Sequence, residues 1–394
     1  MADRNELIGD CVHCGFCLPT CPTYVLWGEE MDSPRGRIQL MLQQSQGEPL
    51  TPTMAGHFDA CLGCMACVTA CPSGVKYDEL ITETRAMVEQ VRPPAGRALR
   101  AAVFALFPYR RRLALAKAPL RAYRTLGSPL RRQLPAALRT LLDLAPPAPG
   151  RARLPRVVSA LGRRRARVGM LTGCVQHAFF PGVNAATARV LAAEGCEVVI
   201  PAEQGCCGAL SRHSGRTAEA DRFATALERS FAGVDALIVN AAGCGSSLKE
   251  SGALAAKSFD LAEFLADLGP VATRHPIPLT AAYHDACHLA HAQGIRAQPR
   301  SLLHAIPGLT LREIADPEIC CGSAGIWNVL NPAPAAELGD RKARNVLATG
   351  ASLLVTANPG CLMQIAAAVN RAGRTIRLAH TAEVLDASIR GVRP

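Results

Sequence analysis

Two groups of cysteines near the N-terminus share the spacing C-x2-C-x2-C-x3-C-P. Bacterial-type ligands of [4Fe–4S] clusters have this spacing, and in chains with two such groups the fourth cysteine ligates the other cluster. Structural zinc or disulfide bonds would not require the doubled pattern. We call residues 11–22 the first box and residues 61–72 the second box. The predicted ligands are Cys11, Cys14, Cys17 and Cys71 for one [4Fe–4S] cluster and Cys61, Cys64, Cys67 and Cys21 for the other.

The C-terminal half contains a second cysteine pattern, which occurs twice. Its members recur at offsets of 113, 114 and 117 residues, and each lies at or just after the end of a predicted strand. Ligands of parallel sheets sit outside the carboxyl ends of the strands, so each repeat should bring four sulfurs to one mouth. The two sets are Cys174, Cys206, Cys207 and Cys244 in the first repeat and Cys287, Cys320, Cys321 and Cys361 in the second.

Four thiolates from separated loops suit several chemistries. They hold a further iron–sulfur cluster or zinc in each repeat, or they act as redox thiols. A glycine follows each cysteine pair and would let the backbone pass close to whatever the thiolates hold. Cys196 lies outside the pattern and is expected in the core. Further candidate ligands or proton donors are His57, His177, His284, His288 and His291.

The elements around these residues define the fold class. Ser33 and Pro34 are typical of a helix start, and residues 77–91 have helical periodicity, which favours an α-helical ferredoxin domain. From residue 168, strands alternate with helices, as in parallel sheets built from β-α-β units. We therefore predict an α+β multidomain protein. Its parts are a two-cluster ferredoxin-type domain (1–91), a basic helical connector (92–167) and two repeated α/β cysteine-rich domains (168–275 and 276–394).

The repeats also predict individual elements. In the first repeat, strands are expected at 168–171, 198–200 and 236–239 and helices at 185–193, 218–231 and 260–265. In the second, strands are expected at 279–283, 309–314 and 353–355 and helices at 301–303, 335–347 and 381–389.

The net charge of +11 is concentrated in the connector. Residues 1–91 carry −7, residues 92–167 carry +18, and the remainder is neutral. One interpretation is a surface that meets anionic lipid or an acidic partner, and the other is solvated helix faces with arginine stems on apolar surface. Nucleic acid is not expected as a partner, because aromatic residues do not interleave with the charges. The arginines concerned are Arg110, Arg111, Arg112, Arg121, Arg124, Arg131, Arg132 and Arg139.

Several motifs are absent from the sequence. We find no G-x-G-x-x-G after a strand, no P-loop and no Ser/His/Asp arrangement, so no flavin or nicotinamide site is expected on this chain. The N-terminus lacks the features of a signal peptide, and no apolar run of about 18 residues could span a membrane. Cysteines used as metal ligands indicate a reducing cytoplasm. These features favour an electron carrier between two partners.

The two boxes followed by two Cys…Cys-Cys-Gly…Cys repeats resemble the cysteine-rich (CCG) domain proteins. This group includes the iron–sulfur subunits of glycolate oxidase, anaerobic glycerol-3-phosphate dehydrogenase and lactate-utilisation systems, as well as the heterodisulfide reductases. The resemblance is greatest to glycolate oxidase iron–sulfur subunits. It rests on residues 11–17, 34–38, 184–191, 205–209, 320–325, 355–358 and 360–361.

The resemblance implies an electron-transfer subunit with no catalytic residue of its own. FAD-containing partner subunits would oxidise glycolate to glyoxylate, and this subunit would pass the electrons to the membrane quinone pool or another acceptor. It would then be cytoplasmic, with peripheral contact to the inner membrane through the connector. The alternatives are a related lactate or glycerol-3-phosphate dehydrogenase system, a heterodisulfide-reductase-like thiol–disulfide reductase, and a zinc-held docking scaffold.

One departure from the heterodisulfide reductases affects the metal prediction. Their repeats end in C-x-x-C, whereas Ala241 and Asn358 stand at the first of those cysteine positions here. Four sulfurs per repeat argue against the double-cuboid cluster of those reductases. The alternatives that remain for each repeat are a simpler cluster, zinc or thiols without a metal.

Overall fold

The computed structural model describes residues 3–115, 142–146 and 153–394, together with the single residues 120, 133 and 139. Three regions follow one another along the chain. A helical region surrounds the two boxes, two helices of the connector come next, and two parallel sheets complete the chain.

The region around the boxes is helical, as predicted, and residues 3–91 contain no strand. The helix between the boxes begins at Pro34, and the Ser33 hydroxyl accepts the Gly36 N–H at 3.0 Å, which confirms the predicted cap. A Cβ on Gly36 would lie 1.9 Å from the Glu30 carbonyl oxygen, so only glycine allows this close approach. The helices are α1 (Arg4–Gly9), α2 (Pro22–Trp27), α3 (Pro34–Ser45), α4 (Pro52–Ala60), α5 (Ala66–Ala70) and α6 (Tyr77–Val91), with a 3-10 turn at Glu30–Asp32.

The described part of the connector contains α7 (Pro94–Leu106) and α8 (Arg110–Leu115), but it is not helical throughout, because residues 157–158 and 166–167 belong to strands of the first sheet. Buried Phe104 of α7 packs against Ile326, far along the chain. The connector therefore covers part of the cysteine-rich region. Four of its predicted surface arginines, Arg121, Arg124, Arg131 and Arg132, lie outside the described residues.

The first sheet has five strands in the order β1-β3-β2-β4-β5. All neighbours are parallel except β1, which pairs antiparallel with β3. Every residue of β4 is buried, as expected for a strand covered on both faces of a parallel sheet. The strands are β1 (Val157–Val158), β2 (Ala166–Leu171), β3 (Cys196–Val199), β4 (Ala236–Val239) and β5 (Ser258–Asp260). The helices are α9 (Val175–Phe179), α10 (Pro181–Ala193), α11 (Ala209–Arg212), α12 (Thr217–Ser230), α13 (Ala242–Lys249) and α14 (Leu261–Leu268), with a 3-10 helix at Gly252–Lys257.

The second sheet repeats this plan with four parallel strands in the order β7-β6-β8-β9. Its strands are β6 (Leu279–Tyr283), β7 (Leu309–Glu313), β8 (Leu353–Thr356) and β9 (Arg377–His380). Its helices are α15 (Cys287–Ala290), α16 (Ala297–His304), α17 (Trp327–Leu330), α18 (Pro332–Ala348), α19 (Pro359–Arg371) and α20 (Thr381–Arg390).

The predicted strands and helices of both repeats are present, but three short strands were not anticipated. These are β1, β5 and β9. Asp260 was assigned to a helix and instead ends β5, because it is the non-helical N-cap of α14 with a complete capping box. His380 ends β9 and caps α20 in the same way.

The two sheets share one hydrophobic core. Residues of β2, β3 and β4 belong to the same buried cluster as residues of β6 and β8, together with α10 and α20. Arg189 of α10 bonds both carboxylate oxygens of Asp386 on α20, at 2.8 and 2.6 Å. This packing fixes the orientation of one repeat relative to the other.

Candidate functional site

Both boxes hold their cysteines on the same backbone conformation. In each box, the second and the fourth residue after the first cysteine have positive φ. The values are 54° at His13 and 86° at Gly15, and 66° at Gly63 and 63° at Met65. The left-handed region is costly for residues with a Cβ, so its repetition at a histidine and a methionine indicates that the sulfur positions require it.

The thiols of the boxes form two crossed sets around two voids. One void, the outer site, is lined by Cys11, Cys14, Cys17 and Cys71, and the other, the inner site, by Cys21, Cys61, Cys64 and Cys67. Cys67 also borders the outer site. These are the same two sets of cysteines that the C-x2-C-x2-C-x3-C-P spacing predicts. Four thiols around one void fit a [4Fe–4S] cluster, and tetrahedral zinc has the same donors.

The outer site reaches the protein surface, whereas the cysteines of the inner site are buried. Cys14 is exposed, and its neighbours Val12 and Phe16 are 67% and 65% exposed. All four thiols of the inner site belong to buried residues. The two sites therefore differ in solvent access although their local backbone is the same.

Buried positive charge surrounds the inner site. The Arg37 side chain is fully buried; its Nε donates to the His57 carbonyl oxygen at 2.7 Å and its Nη2 to Asp32 Oδ1 at 3.1 Å. Burial alone would raise the pKa of Cys61, but the guanidinium groups of Arg37 and Arg85 lower it. Neither arginine is among the site residues predicted from the sequence. The only available signal was Arg37 within the Pro-Arg-Gly-Arg stretch.

The structure also gathers the repeat cysteines into two groups. In the first repeat, the Sγ atoms of Cys174 and Cys206 lie 3.8 Å apart. Those of Cys207 and Cys244 lie 2.9 Å apart. In the second repeat, the Sγ atoms of Cys287 and Cys320 lie 4.0 Å apart, and those of Cys321 and Cys361 lie within 4.8 Å of each other and of a His284 ring nitrogen.

The glycine after each cysteine pair makes a close contact that the sequence does not predict, and its approach to the group held by the thiolates stays a prediction. Gly208 and Gly322 have φ of 81° and 87°. A Cβ on Gly208 would lie 2.9 Å from the Ala220 carbonyl oxygen, and one on Gly322 would lie 2.8 Å from that of Ala335. The close approach is thus to the following helix, and these glycines seat the cysteine loops against α12 and α18.

The two cysteine groups open onto one cavity of about 550 Å³. All eight repeat cysteines line it, as does Cys61 of the inner site. Much of the remaining lining is apolar, including Phe107 and Ile326. Two buried polar groups on its wall have no hydrogen-bond partner, the side-chain amide of Gln176 and Nε2 of His213. Neither residue was predicted as functional, and no local sequence pattern identifies them.

The second box is attached directly to the second repeat. The indole N–H of Trp327 donates to the Ala60 carbonyl oxygen at 3.0 Å, and His288 Nε2 lies 2.9 Å from the Gly63 carbonyl oxygen. Cys64 and Cys320 belong to one buried cluster, with Cys287 packed against it. The inner site therefore adjoins the sulfurs of the second repeat.

The five candidate histidines have different surroundings. His57 Nδ1 lies 3.0 Å from Asp32, and His291 Nε2 lies 3.1 Å from Glu318, so both are in polar contacts away from sulfur. His177 lies on α9, and His288 bonds the second box. His284 is the member of the five that is grouped with two thiols. Cys196 is fully buried in the shared core, consistent with a packing role.

Two of the predicted surface arginines bind within the chain. Arg110 donates to Thr172 Oγ1 at 3.1 Å and to the Ala202 carbonyl oxygen at 2.7 Å. Arg112 donates to the Ala105 carbonyl oxygen at 2.7 Å, and its guanidinium lies 4.2 Å from the ring centroid of Tyr109. Burial lowers the pKa of Arg110. Arg110 is thus half-buried and bonded within the chain, whereas Arg111 and Arg112 are exposed, so whether this segment meets a lipid or an acidic partner stays a prediction.

Fold and site together define a class: an iron–sulfur protein with a dicluster ferredoxin-type region and two cysteine-rich repeats. Three family models match the chain. They are the 4Fe-4S dicluster domain at residues 8–75, the cysteine-rich domain at 168–249 and 281–366, and the glycolate oxidase iron-sulfur subunit linker region at 95–145.

Two curated relatives match over nearly the whole chain. The probable glycolate oxidase iron-sulfur subunit of Bacillus subtilis (strain 168) is 36% identical, covering 97% of this chain and 94% of the relative. The glycolate oxidase iron-sulfur subunit of Escherichia coli (strain K12) is also 36% identical, covering 98% and 95%. The chain belongs to the family of glycolate oxidase iron–sulfur subunits.

A solved structure shares the fold. The crystal structure of a hypothetical protein from Helicobacter pylori aligns with a TM-score of 0.53 at 9% identity, covering 99% of this chain and 77% of the other. Among the residues that the structure describes, no helix has both the length and the hydropathy needed to cross a membrane.

Proposed function

We propose that this chain is the electron relay of a glycolate-oxidising complex. A partner subunit carrying FAD oxidises glycolate to glyoxylate, with release of two electrons and two protons, and this chain passes the electrons one at a time to a quinone. The observation that carries the proposal is that neighbouring thiol sites share cysteines on their walls: Cys67 borders the outer and the inner site, and Cys61 borders the inner site and the shared cavity. When bound, [4Fe–4S] clusters supply one-electron redox chemistry at such sites.

In this proposal, Cys11, Cys14, Cys17 and Cys71 hold the outer cluster, and Cys61, Cys64, Cys67 and Cys21 hold the inner one. The outer site is the only one of the two with an exposed cysteine, Cys14. The inner site adjoins Cys287 and Cys320. We therefore order the sites as outer, inner, second repeat and shared cavity.

The partner subunit docks at the outer site in this order. Val12 and Phe16 stand out from the surface on either side of Cys14. Residues 1–91 carry a net charge of −7, which suits a basic patch on the partner. Docking there brings a flavin close to the outer thiols while the inner site stays shielded from water.

The shared cavity is the proposed acceptor site. Its apolar lining suits the ring of a quinone, and its volume lies within the usual range for small-molecule pockets. The free amide of Gln176 can donate a hydrogen bond to a quinone carbonyl oxygen. The quinone takes up two electrons and two protons to become the quinol.

Delivery to a membrane quinone calls for peripheral membrane contact. Arg111 is exposed, whereas Arg110 and Arg112 are engaged within the chain. We expect Arg111→Glu to weaken binding to anionic lipid vesicles. The uncharged variant Arg111→Gln should lie between it and the unaltered protein. Equal vesicle binding by all three would remove residue 111 from the proposed membrane surface.

The decisive experiment is anaerobic co-purification of the chain with its partner subunits, followed by addition of glycolate. We expect flavin on the partner, iron on this chain, and bleaching of the iron–sulfur absorbance with an EPR signal of reduced [4Fe–4S] clusters. Cys14→Ser should abolish glycolate-dependent reduction. Cys196→Ser, outside the sites, should retain it. A reconstituted chain without a reducible cluster would contradict the proposal.

The substrate is tested with the same complex. Glycolate, lactate and glycerol 3-phosphate are added separately, and the rate of cluster reduction is compared. Faster reduction by lactate or glycerol 3-phosphate would assign the chain to one of those related dehydrogenase systems and leave the relay itself intact.

A thiol–disulfide reductase is the second candidate function. It is favoured by the 2.9 Å separation of the Cys207 and Cys244 sulfurs at the wall of a ligand-sized cavity. Cys207→Ser distinguishes the two functions. Loss of disulfide turnover with unchanged metal content would support the reductase, and loss of bound metal supports a ligand role for Cys207.

Each repeat is proposed to bind metal through its four cysteines, either as a further iron–sulfur cluster or as zinc. Iron and zinc analysis of the purified chain separates these cases. Two zinc ions per chain beside eight irons would make the repeats structural, and the relay would then end at the inner site.

A further inference from the structure

A buried histidine lies beside the thiols of the second repeat. His284 directly follows β6, and its backbone N–H donates to the Val355 carbonyl oxygen at 2.9 Å. The residue is 2% exposed, and a ring nitrogen lies within 4.8 Å of the Cys321 and Cys361 sulfurs. Among the described residues, its Nε2 has no hydrogen-bond partner. An unpaired buried nitrogen is costly, and neutral imidazole is a common metal ligand.

The first repeat has no such group. The offset of 113 residues between Cys174 and Cys287 places Leu171 at the position of His284. Leu171 is 2% exposed and packs in one hydrophobic cluster with Cys206 and Cys207. At this position the first repeat therefore has only cysteine sulfurs as candidate ligand atoms, whereas the second has sulfurs and a histidine nitrogen.

A buried lysine adds a second difference. Lys342 on α18 is 1% exposed, and its Nζ donates to the Asp316 carbonyl oxygen at 2.6 Å. The sulfurs of Cys320, Cys321 and Cys361 lie close enough to interact electrostatically with it. The glycine contacts with Ala220 and Ala335 set an offset of 115 between α12 and α18, which places Leu227 at the position of Lys342. Leu227 is fully buried beside the cysteine pair of the first repeat.

His284 is not placed to serve a molecule in the shared cavity. The cavity wall includes Ala286, Cys287 and His288 but not His284. The imidazole lies instead on the side of Cys321 and Cys361. Its geometry is that of a ligand to the group that these sulfurs hold.

We propose that His284 is a nitrogen ligand of the metal centre in the second repeat, which is thereby bound through mixed nitrogen and sulfur donors, unlike the all-sulfur first repeat. This inference rests on the proposed metal binding by the repeats. Iron–sulfur centres with histidine ligands have higher potentials than those with cysteine alone, and a nearby ammonium favours the added electron. If both repeats hold iron–sulfur clusters, the second would therefore have the higher potential of the two and would be placed to accept electrons from the adjoining inner site; zinc in the repeats would carry no such order.

The test uses the full chain labelled with ¹⁵N-histidine. Pulsed EPR of the reduced protein detects imidazole nitrogen coupled to iron, and X-ray absorption at the zinc edge detects it if the repeat holds zinc. We expect a directly coupled nitrogen that His284→Leu removes. His284→Cys should restore metal content without nitrogen coupling. The mirror variant Leu171→His should add a nitrogen to the first repeat.

The outcomes separate this inference from the function on which it rests. Repeats without metal in the unaltered protein would overturn both. Metal in both repeats with no nitrogen coupling would overturn the ligand role of His284 alone. Redox titration tests the order of potentials: Lys342→Leu should lower the midpoint of the second repeat, and Leu227→Lys should raise that of the first. Unchanged midpoints would overturn the assigned order.

Discussion

The two cysteine boxes have the same spacing and the same left-handed backbone positions, yet the chain places them in opposite environments. The first box exposes Cys14 between two projecting apolar side chains, and the second buries all three of its closely spaced cysteines. The difference arises outside the boxes. The second box is covered by Trp327 and His288 of the second repeat, whereas one face of the first remains open. Local sequence thus sets the ligand geometry, and distant packing sets solvent access.

Two arginines on α3 extend this comparison, because each serves one box. Arg35 donates to the His13 carbonyl oxygen at 2.9 Å and pairs with Glu30 at 2.6 Å near the surface. Arg37, two residues later, is buried and lies by the inner site. An arginine therefore supports each box, near the solvent at the first box and in the buried interior at the second.

The largest expected effect follows from removing the buried arginine. Arg37→Met leaves Asp32 and the His57 carbonyl oxygen without the guanidinium. Breaking a buried charged pair typically costs about 3–5 kcal/mol of the free energy of unfolding. Arg35→Met removes a partly exposed pair, which is typically worth about 0–1 kcal/mol. Chemical denaturation followed by circular dichroism measures both, and equal losses would contradict the contrast between the boxes.

Metal removal should sharpen the same contrast. A water-soluble iron chelator added to the anaerobic, reconstituted chain should withdraw iron in two phases, because the outer site is open to solvent and the cysteines of the inner site are buried. Cys14→Ser should remove the fast phase, and Cys64→Ser the slow one. A single phase in the unaltered protein would mean that the two sites are equally accessible.

The features that could be predicted from the sequence depend on residues close together in the chain. Those that could not depend on contacts between distant residues. The crossed sulfur sets and the cap at Ser33 were predicted, since spacing and neighbouring residues determine them. The Trp327 contact with the second box joins residues far apart in the chain, and no local pattern marks it. The sequence predicts Arg110 as a surface charge, because it does not reveal the hydrogen bonds of this side chain to Thr172 and Ala202.

The two repeats contain one further sequence signal, which is a difference between residues at matching positions. Their near-constant offsets indicate duplication and also allow the residues between the cysteines to be compared position by position. That comparison pairs His284 with Leu171 from the sequence alone. Only the structure shows that the histidine lies against two sulfurs and that its Nε2 is unpaired.

A docking prediction tests the exposed face of the first box. The double variant Val12→Ser and Phe16→Ser should raise the KM for the flavin-bearing partner by about tenfold, which corresponds to about 1.4 kcal/mol of lost contact. The iron content should stay the same, because neither side chain is a predicted ligand. Leu161→Ser, also a well-exposed apolar residue at 66%, serves as the matched control. A similar change in the control would mean that the effect is not local to the box.

A last prediction tests where the boxes are alike. Gly15→Ala and Gly63→Ala each put a Cβ at positive φ, 2.9 and 3.0 Å from a guanidinium nitrogen of Arg35 and Arg85. Because the backbone is shared, each should lower the free energy of unfolding by a similar amount, about 1–2 kcal/mol. Gly56→Ala, inside α4 with open space around it, should instead stabilise by about 0.5–1 kcal/mol. Clearly unequal losses at residues 15 and 63 would show that the surroundings, and not the common backbone, determine the strain in each box.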